Sequence, residues 1–318
     1  MSMRNQTLLA VLLCGVFGVA VAAPGIREYG GSSELDNVDP GMSEALPFGA
    51  GEAGLRFTSG NHWSTSINLE KGPVQHIRAK YNDRNKTPIP INGTDPYANV
   101  NGTRNPQYLT LRDVAPVIGW FYNPKLGQVW YENRHNNTEV HSVRQMANPA
   151  IPAAPKFGGL VIAKVPGMNG SDGNVFFGEW APRAGNPPQN STDLNMGDSR
   201  RTVWYVGDNP TTNMPNLVNA QYNVLGVNKH TPGQNDFYTG TLTANYGGSK
   251  GSLIGNLTRG SDSIDFADTN INSRGIFDNG KANEHISGRF YGSGAEALAG
   301  IVDRAGVDKD VAFGGRKQ

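Results

Sequence analysis

Gly288-Arg-Phe-Tyr-Gly-Ser-Gly-Ala-Glu-Ala-Leu-Ala-Gly300, followed by Phe313-Gly-Gly-Arg-Lys-Gln318, is the stretch that decides the fold. Apolar residues and glycines recur with a period of two: Ile286, Gly288, Phe290 and Gly292, then Leu298, Gly300 and Val302. A period of two describes strands, because successive side chains leave a strand on opposite faces. An inner face that mixes large and small side chains suits a small closed barrel. Working upstream, Tyr238, Gly240, Leu242, Ala244 and Tyr246 face one way, and Thr239, Thr241, Thr243 and Asn245 the other. Leu253, Gly255 and Leu257 continue the pattern, then Ile264 and Phe266. With Thr202–Val206 and Tyr222–Val227 this makes about eight strands joined by Asn/Gly/Ser turns, the pattern of an up-and-down barrel. A sandwich is the rival, since alternation does not distinguish closure from stacking.

Short β-like runs also recur before the barrel: Leu55–Ser59, Ser64–Leu69, Gln107–Leu111, Pro116–Tyr122, Gln128–Glu132, Glu139–Met146, Gly159–Val165 and Asn174–Trp180. Clusters of Asn, Gly and Pro bound them. One weak helical candidate covers Ser142–Met146. Residues 23–54 read as an extended arm with at most a short opening strand, and 82–106 as a long Asn/Pro/Gly/Thr-rich loop of the kind that often carries function. The expected fold class is all-β. A signal peptide spans 1–22 and a β-rich N-terminal domain 23–181. A linker with Pro187-Pro188 follows at 182–200, and the eight-stranded up-and-down barrel occupies 201–318.

The ends and composition narrow the function. Arg4, an apolar run from Leu8 to Val21 and the small residues Ala20 and Ala22 read as a secretion signal with cleavage before Ala23. The run is short for a membrane span, so no stable membrane insertion is expected. The single cysteine, Cys14, lies in that run behind Leu13, where a lipobox needs a small residue; the expectation is a secreted protein without a lipid anchor. Without that cysteine the chain has no disulfide or thiolate metal site. Lys and Arg total 28 against 27 Asp and Glu, a balance that points to no nucleic-acid partner. No nucleophile elbow, metalloprotease helix, P-loop or dinucleotide-binding glycine pattern is present, so the chain does not read as an enzyme. Asp262, Asp265 and Asp268 lack the Gly and closing Glu of an EF-hand loop and read as a solvated strand face.

The terminal stretch resembles the closing hairpin of the lipoprotein barrel in transferrin-binding protein B, its Slam-dependent relatives and the hemophilin hemophores. In that family a Gly-x-Phe-Tyr-Gly signature ending in Leu-x-Gly precedes a terminal Phe-Gly-(Ala/Gly)-(Lys/Arg). Here Ala297 stands between Glu296 and Leu298, where the family has Glu directly before Leu. Asn174-Val-Phe-Phe-Gly-Glu-Trp180 and Val203-Trp-Tyr-Val-Gly-Asp-Asn-Pro-Thr211 resemble segments that flank the start of the barrel in the same family. The resemblance implies an N-terminal "handle" that recognises ligand and a barrel recognised by the Slam outer-membrane translocator. It further implies a secreted heme-binding protein that takes heme from a host hemoprotein and passes it to a TonB-dependent receptor. The alternative it leaves open is a member that binds a host protein instead, as a co-receptor, immune-evasion or colonisation factor.

Heme would need one or two neutral imidazoles in an aromatic-lined cleft. The handle has His62, His76, His135 and His141. His62 stands beside Trp63 in a turn, and Trp63 could line the same pocket edge. His135 follows Arg134 at what reads as a hairpin tip, where Arg134 could pair with a propionate. His141 lies on the return strand, and His76 reads as a half-exposed strand residue. The iron ligand is expected among His62, His135 and His141, with Arg134, Arg144 or Lys80 near the propionates. Each also has a plain reading as a turn or strand residue. His230 and His285 are expected to be exposed and structural.

Overall fold

Val, Ile, Phe, Trp and Tyr dominate the runs between Asn/Gly turns, and in a computed structural model these runs pair into sheets. The structure describes residues 29–59, 62–81, 107–146, 157–168, 170–185, 188 and 191–318. The signal segment, Cys14, Gly60, Asn61 and the 82–106 stretch lie outside the described residues. Before the barrel come β1 (Gly30–Ser32), β2 (Val38–Met42), β3 (Ala53–Ser59), β4 (His62–Trp63), β5 (Ile67–Asn68) and β6 (Gln107–Thr110). Next are β7 (Lys125–Arg134), β8 (Thr138–Gln145), β9 (Gly159–Lys164), β10 (Val175–Ala181) and β11 (Thr202–Gly207). The barrel uses β12 (Leu217–Val227), β13 (Tyr238–Gly247), β14 (Lys250–Arg259), β15 (Asp262–Asp265) and β16 (Thr269–Ile271). It closes with β17 (Ile276–Asp278), β18 (Glu284–Tyr291), β19 (Ala297–Arg304) and β20 (Val311–Lys317).

The barrel is an antiparallel meander whose last strand, β20, pairs back onto β12. β15 and β16 both pair with β14, at its two ends, so they act as one interrupted strand and the closed circuit has eight. Ile286, Phe290, Leu298, Val302 and Phe313 point inward with Tyr222, Leu242, Leu257 and Phe277. The glycines follow from that filling. Gly288 and Gly300 are register partners. A Cβ on Gly288 would overlap the Phe277 ring, and one on Gly300 would come within 2.7 Å of Phe313 Cζ. Small residues here make room for the Phe277 and Phe313 rings in a narrow barrel.

The other sheet has seven strands in the order β1-β11-β10-β9-β8-β7-β6. Both of its faces are covered, which is why β10 and β11 read as continuous apolar runs rather than alternating ones. One face packs on β2–β5 and the Gln75–Tyr81 helix, through Phe57, Leu69, Ile77, Ile162, Trp180 and Trp204. The opposite face packs on the outer wall of the barrel, where Phe177, Val203 and Tyr205 meet Leu225, Ala299, Ile301 and Ala312. Gly314 in the terminal motif allows this approach: a Cβ there would overlap Phe177. No helix among the described residues is long and apolar enough to cross a membrane.

Several local expectations change. Thr202–Val206, expected to open the barrel, lies in β11 (Thr202–Gly207), the second strand of the seven-stranded sheet, paired with β1 and β10. Ser142–Met146 is no helix, because β8 is held by β7 on one side and β9 on the other. The longer helix is instead Gln75–Tyr81. Pro116–Tyr122, expected as a strand, forms the short Pro116–Gly119 helix and a turn. It follows the Leu111–Val114 helix, which the Thr110–Asp113 capping box starts. The described part of the arm at 23–54 contributes β1, β2 and the first residues of β3. The expected linker is packed against the sheet: Leu194 and Met196 are buried, and Asn195 donates to Pro182 O at 2.9 Å.

Candidate functional site

The expected site residues do not meet in one pocket. Strand alternation separates them before any distance is measured. On β8, His141 shares a face with Val143, and Arg144 lies on the other face with Ser142 and Val140.

His141 is fully buried on the face beneath the Gln75–Tyr81 helix, opposite Tyr131 on β7 and Ile162 on β9. Its ring stacks on Tyr131, with centroids 4.9 Å apart and planes 12° from parallel. Tyr81, from the end of the helix, meets Tyr131 edge-on at 5.8 Å and donates to Val129 O. Neither ring nitrogen of His141 has a hydrogen bond of ordinary geometry, although the Ile162 backbone on β9 is near enough to pull its pKa upward. Burial pushes its pKa down to about 3, against a smaller upward pull from Glu139, whose carboxylate is 3.9 Å from Nε2. The imidazole is therefore neutral at pH 7. Glu139 is occupied elsewhere: it pairs with Arg78 of the helix and accepts the Tyr131 hydroxyl at 2.8 Å. Burial, then Glu139, pushes the Tyr131 phenol up to about 12. The helix is tied down further by Arg78 to Glu70 and by Lys80 to Asp113 at 2.6 Å. Lys80 is thus engaged with a carboxylate.

His76 is on that helix rather than on a strand, since Gln75-His-Ile-Arg-Ala-Lys-Tyr81 has only one buried apolar position, Ile77, and no alternation to pair. Its Nδ1 is 2.6 Å from Gly72 O and its ring lies 5.4 Å from Phe48. His62 and Trp63 form β4, paired with Ser59 and Thr58 of β3. Their side chains lie outside the described residues. His135 is in the Arg-His-Asn-Asn tip between β7 and β8, as its sequence suggests. That tip touches β12 of the barrel, and His141 is three register pairs back along the hairpin, about 10 Å at strand rise.

Arg134 is buried, not exposed at the tip. Its guanidinium pairs with Glu132 at 2.5 Å, donates to Gln234 O and lies over the Phe237 ring. A propionate would have to displace that carboxylate. Beside it, His230 reverses its expected exposure: it is 2% exposed, held between Glu132 (2.5 Å) and Asp236 (2.6 Å). Burial would lower the His230 pKa, but Glu132 and Asp236 outweigh it and raise the value to about 10. Its backbone N–H and that of Lys229 donate to Glu179, which also accepts Arg201 at 2.6 Å. Glu132, Glu179 and Asp236 thus face Arg134, Arg201 and a protonated His230, and the cluster is neutral only with that proton. The turn that carries His230 joins β12 to β13, so the cluster fastens the barrel to the sheet. His285 is partly exposed, 2.7 Å from Asp278.

One surface feature was not legible as such. Val117, Trp120, Phe121 and Tyr122 are 80%, 75%, 86% and 68% exposed, and they project from the end of the β6–β7 hairpin. Arg112 stacks over Trp120, Asn123 accepts the Arg112 N–H, and Leu111 N–H closes the excursion on Pro124 O. The signal was present as Ile118-Gly-Trp-Phe-Tyr122, but a run of aromatics reads equally as a core strand. Among the described residues no group of three or more His, Cys, Asp or Glu side chains is placed to hold a metal ion.

With this geometry in place, known proteins can be compared. Residues 212–317 match the family model described as HphA C-terminal domain. Among solved structures, the chain is similar to transferrin binding protein B (TbpB) mutant Phe-171-Ala from Actinobacillus pleuropneumoniae H49, at 15% identity. The match covers 61% of this chain and 100% of that one, with a TM-score of 0.33. TbpB from serogroup B Neisseria meningitidis matches at 10% identity over 85% and 59% of the two chains, TM-score 0.28. The N-lobe of lactoferrin binding protein B of Moraxella bovis matches at 12% over 75% and 95%, TM-score 0.26. At such identity and superposition these likenesses bear on neither ligand nor partner. The family model coincides with the closed barrel and includes the terminal motif. Residues 212–317, the closed barrel with its terminal motif, are thus similar to the HphA C-terminal domain.

Proposed function

We propose that the protein is a non-enzymatic, secreted heme-binding protein, with His141 as an iron ligand. The observation that carries this reading is the His141 ring: buried, neutral, stacked on Tyr131, with no hydrogen bond of ordinary geometry on either nitrogen. A neutral imidazole with a free lone pair in an aromatic pocket is what ferric heme takes as an axial ligand. The Gln75–Tyr81 helix, which also carries His76, covers His141, so His141 could hold heme iron only with that helix displaced from the sheet. The family resemblance supports heme as cargo, export through the Slam translocator by way of the barrel, and delivery to a TonB-dependent receptor. The test is a heme titration of the protein followed by its visible spectrum. A saturable low-spin ferric band at one equivalent, lost in His141→Ala, supports the reading; a spectrum that stays like free heme overturns it.

The exposed Val117, Trp120, Phe121 and Tyr122 favour a second reading, capture of a host protein. Aromatic side chains on a fixed platform are typical anchors of protein interfaces. Recovery of one stoichiometric partner from host serum, lost in a Trp120→Ala, Phe121→Ala double variant, would favour that reading over heme.

A further inference from the structure

The face of the seven-stranded sheet opposite His141 holds a second polar cluster that the heme reading leaves unused. Tyr108, Gln128 and Arg144 are neighbours in register across β6, β7 and β8, so their side chains stand side by side on one face. Ser142 lies on that face one strand repeat before Arg144. Gln128 and Ser142 are fully buried and Arg144 is 4% exposed. One nitrogen of the guanidinium, Nη2, donates to Gln128 Oε1 and to Pro188 O. Arg144 Nε and Nη1, Gln128 Nε2, the Tyr108 hydroxyl and the Ser142 hydroxyl are all buried with no hydrogen-bond partner.

Two features of this set point to a ligand. Every unpartnered group can donate a hydrogen bond, and none is a carbonyl or carboxylate oxygen. The set also contains a guanidinium removed from water without a contacting carboxylate, an arrangement that is costly unless a counter-charge joins it. Asp193 acts on Arg144 only through space, and desolvation leaves the Arg144 pKa below its ordinary value. The segment above is closely laid: the Leu194 carbonyl sits where a Cβ on Gly159, the β9 partner of Arg144, would be.

We propose that Tyr108, Gln128, Ser142 and Arg144 form a binding site for a small oxyanion, a carboxylate or phosphate group, on the sheet face opposite His141. Charge-assisted bonds from Arg144 bind the anion, and the amide and hydroxyls satisfy its remaining lone pairs. The site stands independently of heme, because His141 and Arg144 project to opposite sides of the same sheet.

The test follows the Arg144 Nε–H resonance and the thermal midpoint of the full chain. Sodium acetate or sodium phosphate is added while sodium chloride holds the ionic strength constant. The expected result is a saturable shift of the resonance with a rising midpoint, retained in Asp193→Ala. Arg144→Met keeps the apolar stem and should lose the midpoint rise. A response to acetate alone assigns a carboxylate ligand, and to phosphate alone a phosphate; either supports the site. An equal response to chloride alone means screening and overturns it. It is also overturned if neither oxyanion acts and Asp193→Ala lowers the midpoint as much as Arg144→Met, which would make Asp193 the counter-ion. Should Arg144→Met fail to fold, the resonance of the unmodified protein decides.

Discussion

Glu132 on the seven-stranded sheet and His230 on the first turn of the barrel share a 2.5 Å hydrogen bond, with both side chains fully out of solvent. They lie 98 residues apart in the chain. Burial raises the Glu132 pKa, but His230, Arg134 and the Gly233 N–H together bring it below its ordinary value. The two groups are therefore charged together over a wide pH range, facing Asp236, Glu179, Arg134 and Arg201.

This pairing predicts a pH window. The His230 pKa is raised to about 10, so its contribution is complete below the unfolded value of about 6.5 and is lost as pH rises through about 10. Glu132, shifted downward, contributes above its unfolded value and loses that contribution in acid. Urea midpoints measured from pH 6 to 10 should fall with rising pH, and His230→Gln should flatten that slope. Glu132→Gln should cost about 3–5 kcal/mol near pH 7, because it breaks a buried pair. An unchanged slope in His230→Gln would place its titration outside the fold.

His141 predicts the opposite dependence. With a folded pKa of about 3, its contribution is present above about 6.5 and declines as pH falls toward 3. His141→Phe keeps a ring against Tyr131 and removes the titrating group. Its stability at pH 7 should stay within about 1 kcal/mol of the parent, its loss between pH 6 and 4 should be smaller, and the heme band should disappear. Retention of the band would assign the iron to another histidine.

The barrel interior predicts a steric cost at its glycines. Gly288→Ala and Gly300→Val push into the rings of Phe277 and Phe313, and each should destabilise by about 1–3 kcal/mol. Thermal melts provide the check. Thr241→Val, on the exposed face of β13, should stay within about 0.5 kcal/mol. If the glycine variants melted like the parent, the barrel would be wider than its packing indicates.

Trp120→Ala with Phe121→Ala should leave stability nearly unchanged, since both side chains are more than two-thirds exposed. A loss of stability comparable to a core deletion in the urea melt would mean that these rings are covered in solution.

The sequence by itself determined the strands of the barrel and their inner faces, while their closure, through β20 pairing back onto β12, was decided by the tertiary structure. Ile286, Phe290, Leu298 and Val302 alternate with small residues, and a period of two specifies strand faces wherever one side is buried and the other is not. The same rule, once β8 is placed by its pairing with β7, puts His141 and Arg144 on opposite faces, against the expectation that Arg144 lies near a heme bound by His141. The terminal Phe-Gly-Gly motif has a packing reason as well: Phe313 fills the barrel, and Gly314 admits Phe177 from the sheet. Where both faces are buried, alternation disappears. Thr202–Gly207 could then be placed in the wrong sheet, and Trp120–Tyr122 could be mistaken for core. Only the tertiary structure decided which charges are buried together. The local sequence around Arg134 and His230 describes polar turns, and their burial arises because the barrel docks on the sheet and closes Glu132, Arg134 and His230 away from water. The neutral state of His141 has the same origin, since desolvation beneath a packed helix is a property of the assembled layers rather than of neighbouring residues in the chain.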